Sequence, residues 1–276
     1  MGKADTIIAG DLANEIALAK LVEGADAVLH VGGATAAANR QGYFDVNVEG
    51  TKKLFEAARN AGVKRFIFVS SIAARDPISD YGASKEAAEQ FLLPFDGKMC
   101  SVLALRPPVI YGPRDKATLP LFKQLQAAVA FVPSGPTSRF SLLYVEDFAR
   151  ILCDAVSNDS HGLYELDDGS GGYDWHQLAR ESRAGTGYPG RLVFLPRGVV
   201  GFAAGLIERY SNFNGRPSVV NRQKVKELYH DDWTAKGRIW PLDNPTGARS
   251  GLAQTVAWYR AEGWLPRKSG RARSAA

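Results

Sequence analysis

Apolar residues along the 276-residue chain follow two alternating rhythms. Short β-prone or unbroken apolar runs recur at 6–9, 27–31, 66–69 and 102–105. Each stops at turn formers: Gly10-Asp11-Leu12, Gly32-Gly33-Ala34, Ser70-Ser71 and Arg106-Pro107-Pro108. Runs of that length, bounded in that way, read as strands buried on both faces. Between them the apolar positions return every three or four residues. Ile16, Leu18, Ala19, Leu21 and Val22 mark a helix over 14–22, and Val46, Val48, Leu54, Phe55 and Ala58 mark one over 44–61. A further helix opens at Tyr81. Strands alternating with helices predict βαβ units, a parallel sheet and right-handed crossovers. Ligands of such sheets sit beyond the carboxyl ends of the strands. Asp11, Gly32, Ser71 and Pro107 are therefore expected on one rim.

After Pro113 the rhythm loosens. Helices are expected at 117–128, 145–157, 174–184, 198–210, 218–228 and 249–262, with short strands near 141–144, 163–166 and 192–195. The fold class this pattern predicts is α/β with a parallel sheet. The stretch 192–206 is apolar enough for a helix facing a membrane or a dimer partner, although Pro196, Arg197 and its glycines argue against a span. One G-x-G-x-x-G, at Gly185, Gly187 and Gly190, follows a helix and precedes a strand-like run. A dinucleotide fingerprint needs the reverse order, so this one reads as a loop.

Composition changes the picture little. Hydrophobic content of 45% and charged content of 23% are those of an ordinary soluble globular protein. Most of the net charge of +5 sits in the last ten residues, where Arg267, Lys268, Arg271 and Arg273 meet no acid. A solvated tail explains this better than a nucleic-acid footprint. Cys100 and Cys153 each lie in an apolar run, which predicts buried thiols in a reducing compartment and a cytoplasmic protein. No apolar run reaches the roughly 18 residues of a membrane span. The four histidines form no metal-ligand cluster, and His30, inside a strand, is expected to be structural.

The candidate chemistry lies in 69–85. Ser71 ends a strand, a turn-forming stretch follows, and Tyr81 and Lys85 stand i, i+4 on the next helix, on one face. With ten tyrosines in the chain, a lone YxxxK is commonplace; the order of strand, serines, loop and helix gives it meaning. A phenol with an ordinary pKa near 10 needs help to act near neutrality, and a neighbouring ammonium would supply part of it. Arg114, Arg139, Tyr144 and Trp175 are candidates for substrate contact, with packing or a solvated face equally open for each.

These residues resemble the Ser-Tyr-Lys triad of the short-chain dehydrogenase/reductase superfamily, and further segments are similar to its extended NAD(P)-dependent epimerase/dehydratase branch. GDL at 10–12 resembles the strand end that holds the adenine, which implies contacts from Asp11 and Leu12. VGGAT at 31–35 implies close approach of the dinucleotide to Val31, Gly32 and Gly33. NVEGT at 47–51 implies a site-ordering role for Asn47. RPPVIYGP at 106–113 implies that Pro107 and Pro108 pass under the nicotinamide. FSLLYVEDFAR at 140–150 and GLAQTVAWYRAEGWL at 251–265 resemble a later strand–helix joint and the closing helix. The resemblance implies that 1–113 is a Rossmann-like doubly wound parallel sheet, that 114–276 is mainly a smaller C-terminal lobe, and that elements near 140–157 return to the sheet. The same resemblance implies NAD or NADP as cofactor, a small-molecule substrate, and no nucleic acid or membrane-spanning partner, with a homodimer as an option. Tyr81 would act as acid/base, Lys85 would lower its pKa and hold ribose, Ser71 would orient the substrate oxygen, and Asn47 would order a proton relay. It also implies a strand, a Gly-rich turn, a helix and a second strand ahead of position 10. The chain is thus expected to lack the pyrophosphate cradle and to bind dinucleotide poorly by itself. The ten-residue step from Ser71 to Tyr81 is short for a nucleotide-sugar enzyme. The rival expectation is a non-catalytic relative that keeps the lobe as a binding or assembly module.

Overall fold

A computed structural model describes residues 6–97, 100–187, 191–213 and 222–266, the side chains of 211–213 excepted. The basic tail and the end of the 185–190 glycine segment lie outside them. The first half runs α1 (Glu15–Val22), β1 (Ala27–His30) and α2 (Arg40–Phe44), then a π-helical turn (Asp45–Glu49) into α3 (Gly50–Asn60). It continues through β2 (Arg65–Val69), a 3₁₀ turn (Ile72–Ala74), α4 (Asp80–Leu92), β3 (Ser101–Arg106) and β4 (Val109–Tyr111). The second half holds α5 (Leu119–Leu125), β5 (Val129–Val132), β6 (Arg139–Phe140), β7 (Leu142–Tyr144), α6 (Val145–Ser157), β8 (Gly162–Glu165), β9 (Tyr173–Asp174) and α7 (Trp175–Thr186). It closes with β10 (Arg191–Phe194), α8 (Arg197–Phe213), α9 (Arg222–Leu228), β11 (Asp232–Trp233) and α10 (Ala248–Ala261).

The central sheet is parallel, in the order β1-β2-β3-β8. β2 is buried along its whole length because alternate residues feed two cores. Phe66 and Phe68 join Leu18, Leu54, Phe55, Ala88 and Leu92 from α1, α3 and α4 on one face. Ile67 and Val69 join Phe148, Ile151 and Ala155 of α6 on the other. This is the doubly wound layering of a Rossmann-like α/β fold. A third core gathers Tyr111, Phe122, Tyr144, Leu178, Leu252 and Tyr259 between β7, α5, α7 and α10.

Three local expectations are corrected. Residues 6–9 form no strand: they are coil, and Ile7 is exposed. A strand exists only through a ladder, and among the described residues β1 pairs with β2 alone. Asp11 accordingly ends no strand; its carboxylate accepts from the N–H groups of Ala13 (2.9 Å) and Asn14 (3.1 Å), shaping the turn that enters α1. β1 stops at His30 and is less buried than its apolar pattern implies, with Leu29 and Val31 exposed. Cys100 is buried as expected, but Cys153 faces solvent, because Ile151 and Ala155 take the inward face of α6. Tyr144 is a core residue whose hydroxyl donates to Gln254 Oε1 at 3.2 Å. His30 packs against Phe66 and Phe68 and bonds Thr51 Oγ1 at 2.9 Å. Gly187, with φ +79°, caps the end of α7, so the start of the glycine segment is a helix stop.

Candidate active site

The carboxyl ends of β1, β2 and β3 place Gly32, Ser71 and Pro107 on one rim. Strand alternation sends the two serines after β2 to different work. Ser70 Oγ donates to the buried Glu89 carboxylate. Ser71 caps the 3₁₀ turn, its Oγ accepting from Ala73 N at 3.2 Å, and its side chain acts on the Tyr81 phenol as a hydrogen-bonding neighbour that draws the phenol pKa down. The chain can bring these two together because Gly82 packs bare backbone against the turn; a Cβ there would lie 2.5 Å from the Ala73 carbonyl oxygen. Ser79 caps α4 by accepting from Gly82 N at 3.0 Å.

Lys85 is buried, with Nζ donating to the Val69 carbonyl at 3.0 Å and lying over the Phe68 ring. Burial holds its pKa down to about 8, and the Glu89 carboxylate partly opposes this. The Tyr81 pKa is pushed above its ordinary value, first by burial and further by the Glu227 carboxylate, while the Ser71 hydrogen bond works the other way. The spacing therefore puts Tyr81 and Lys85 on one face as expected. The ammonium, however, serves a strand-end carbonyl, and burial governs the phenol.

Asn47 occupies the π-helical turn, a distortion that often marks functional sites. Its Oδ1 accepts from Ala34 N at 2.7 Å, and its Nδ2 donates to Ala34 O (3.0 Å) and Ser84 Oγ (2.9 Å). It thus clamps the glycine segment after β1 to α4. Gly33 lies between: a Cβ there would sit 3.0 Å from Asn47 Oδ1 and 3.1 Å from Lys85 Nζ. Val31, Gly32 and Gly33 are exposed, and Gly33 lies beside this ammonium, whose three donors make one hydrogen bond among the described residues. Bare backbone next to a buried donor fits the sugar hydroxyls of a dinucleotide. Pro107 and Pro108 are buried, with the Pro107 carbonyl accepting from Ile72 N at 3.0 Å. Leu12 lies against Gly50, on the α1–α3 side of the sheet, and Asp11 is exposed at the turn before α1.

Two groups of site residues escaped the sequence reading. Glu227 of α9 accepts from Ser79 Oγ and Gln223 exchanges two hydrogen bonds with Asp80, so the C-terminal lobe grips the N-terminus of α4 beside Tyr81. Beneath α4, Glu89 pairs with Arg106 (2.6 Å), Arg106 reaches Glu165 (3.3 Å), and Glu165 pairs with Arg75 (2.9 Å). Arg75 also donates to the carbonyls of Thr234 (2.7 Å) and Asp232 (3.0 Å). These charges are scattered along the chain, and no spacing marks them as partners. Among the described residues, no set of three or more His, Cys, Asp or Glu side chains is arranged to hold a metal, and no helix is long and apolar enough to cross a membrane.

A parallel doubly wound sheet with a Ser, Tyr, Lys and Asn gathered at its carboxyl rim is the architecture of nicotinamide-dependent short-chain dehydrogenases. The model of the NAD dependent epimerase/dehydratase family matches residues 1–166, and the chain belongs to that family of NAD(P)-dependent enzymes. It is 40% identical over 266 residues to the ceramide reductase of Caulobacter vibrioides, covering 95% of this chain and 82% of that protein. It is 32% identical over 258 residues to the 2-alkyl-3-oxoalkanoate reductase of Stenotrophomonas maltophilia, covering 85% of this chain and 70% of that one. Among solved structures, the UDP-N-acetylglucosamine 4-epimerase of Methanobrevibacter ruminantium superposes with a TM-score of 0.70 at 18% identity, covering 92% of this chain and 82% of that one. That last likeness is one of fold alone.

Proposed function

We propose that the protein reduces a ketone carried on long alkyl chains, using Ser71, Tyr81 and Lys85 as the catalytic set. The observation that carries this is the convergence of Lys85 and Asn47 on the bare backbone of Gly33 at the strand ends, with Tyr81 one helical turn before Lys85 on α4 and Ser71 at the end of β2. The substrate class is supported by the relatives: one is named a reductase of ceramide, the other of a 2-alkyl-3-oxoalkanoate. The short step from Ser71 to Tyr81 argues against a nucleotide sugar.

The nicotinamide dinucleotide, when bound, supplies the hydride for the carbonyl carbon. Ser71 would hold the carbonyl oxygen by hydrogen bonding. Tyr81, kept protonated at neutrality by burial, would give its proton to that oxygen as negative charge develops there. Lys85 would hold ribose with the donors that Val69 does not use, and its charge would stabilise the tyrosinate left behind. Asn47 is a positioning residue that fixes the Gly32–Ala34 backbone against α4. Asp11 and Leu12 would border the adenine side, and Val31, Gly32, Gly33, Pro107 and Pro108 the backbone-lined wall. The segment after 113 would supply most of the substrate side, with Glu227 and Gln223 seating it on α4.

The test is NAD(P)H oxidation with a long-chain 3-oxo lipid and, separately, with UDP-glucose, by the parent and by Tyr81→Phe. The lipid ketone should turn over and the sugar nucleotide should not. The variant should lose about 100-fold or more in kcat while its dinucleotide affinity stays within about threefold of the parent. Turnover retained by Tyr81→Phe, or a preference for the sugar nucleotide, refutes the reading.

A further inference from the structure

α8 is amphipathic the wrong way round for a helix on a globular surface. Val199, Phe202, Leu206 and Tyr210 recur at i, i+3, i+7 and i+11, one face of the helix, and are 61, 72, 55 and 71% exposed. The face turned inward is made of small residues: Ala204 is buried, and Gly205 lies against the Arg222 guanidinium of α9, where a Cβ would meet Nη2 at 3.0 Å. Single exposed apolar residues need no account, but a ridge of four large ones along one helix marks an interaction surface. β10, which leads into α8, pairs with β5, whose Val129 and Phe131 are also exposed.

Cations flank the ridge. Arg209 stands beside Tyr210 and Arg222 of the adjoining α9 packs at Gly205; Lys226 of α9, Arg191 of β10 and Arg197, which opens α8 on the side away from the ridge, add to the charge, and all are exposed. Among the described residues of these three elements the carboxylates are Glu208 and Glu227, and Glu227 is buried and bonded to Ser79. We infer that the ridge Val199–Phe202–Leu206–Tyr210 docks on an anionic lipid surface. α8 would lie in the headgroup plane, apolar side chains down and arginines at the level of the lipid phosphates. The flanking cations decide the occupant. A two-fold contact with a second copy would set the same cations against themselves, whereas an anionic bilayer attracts every one of them. With 17 residues, α8 can lie along a surface but is short of a span. This inference rests on the surface alone and does not depend on the substrate proposed above.

Flotation of the full chain with phosphatidylcholine vesicles, with and without about one quarter phosphatidylglycerol, tests it. The protein should float with the anionic vesicles and not with the neutral ones, and the bound fraction should fall as salt is raised. Phe202→Asp with Leu206→Asp should lower partitioning about tenfold or more with the melting temperature unchanged, because both side chains are exposed. Should that variant melt early, Arg209→Gln with Lys226→Gln leaves the apolar ridge intact and must still weaken binding to anionic vesicles. Protein that stays out of the vesicle fraction, or variants that partition like the parent, overturn the inference. A dimer in sedimentation that the aspartate variant dissolves would assign the ridge to a second copy and overturn it equally.

Discussion

Lys85 carries its charge where water is excluded, and the cost can be read out. The side chain is 5% exposed, and burial brings its pKa from 10.5 to about 8. At neutral pH that difference costs the folded state about 3 kcal/mol. The folded protein holds the Lys85 proton less tightly than the unfolded chain, so the contribution of this group to stability rises with pH. The penalty is full below about pH 8 and is gone above 10.5. Lys85→Met removes the charge but also deprives the Val69 carbonyl of its donor, a loss of about 1–3 kcal/mol. The two effects nearly cancel near pH 7, where the variant should be as stable as the parent or slightly more so. The hydrogen-bond loss drops out of the pH dependence. Urea unfolding at about pH 7 and about pH 9.5 should show the parent gaining about 2 kcal/mol on the variant between the two. A gap unchanged by pH, or a variant several kcal/mol less stable at pH 7, would refute the assignment of a strained, desolvated ammonium. The same variant should bind dinucleotide weakly, which would make Lys85 a residue kept for function at the expense of stability.

Other outcomes follow from single contacts. Gly33→Ala puts a methyl 3.0 Å from Asn47 Oδ1 and 3.1 Å from Lys85 Nζ, and should weaken dinucleotide binding about tenfold in calorimetric titration with little change in melting. His30, buried and held neutral with its pKa lowered to about 4, makes the parent lose stability as pH falls from 6.5. His30→Gln should flatten that acid slope by up to about 3 kcal/mol in urea melts, and an unaltered slope counts against the burial argument. Arg106→Leu strands the Glu89 carboxylate and should cost about 3–5 kcal/mol, measured as a fall in the urea midpoint, whereas a loss below about 1 kcal/mol would mean the pair is solvated in practice.

Legibility followed the range of the forces involved. β2 and β3 were readable because a strand buried on both faces must be apolar at every position, and Phe66–Val69 is. The helices after Pro113 were readable from apolar spacing, to within a few residues of the observed α6, α7, α8 and α10. Ser71, Tyr81 and Lys85 could be found because the elements that present them are consecutive, so short-range order stands in for spatial order. The chain's pattern implied the α/β sheet and put Gly32, Ser71 and Pro107 at strand ends, but it misplaced Asp11, which ends no strand. It did not fix what depends on a distant partner. Residues 6–9 have strand composition and no ladder, while β6, β9 and β11 are two-residue pairings made by their neighbours. Ser79 and Glu227 meet across 148 positions, and Glu89, Arg106, Glu165 and Arg75 become one network only when four elements pack. The same holds for exposure. Apolar spacing marks which face of α8 is hydrophobic, but only the packed structure shows that this face points outward, because burial belongs to a pair of surfaces and one helix supplies only one of them.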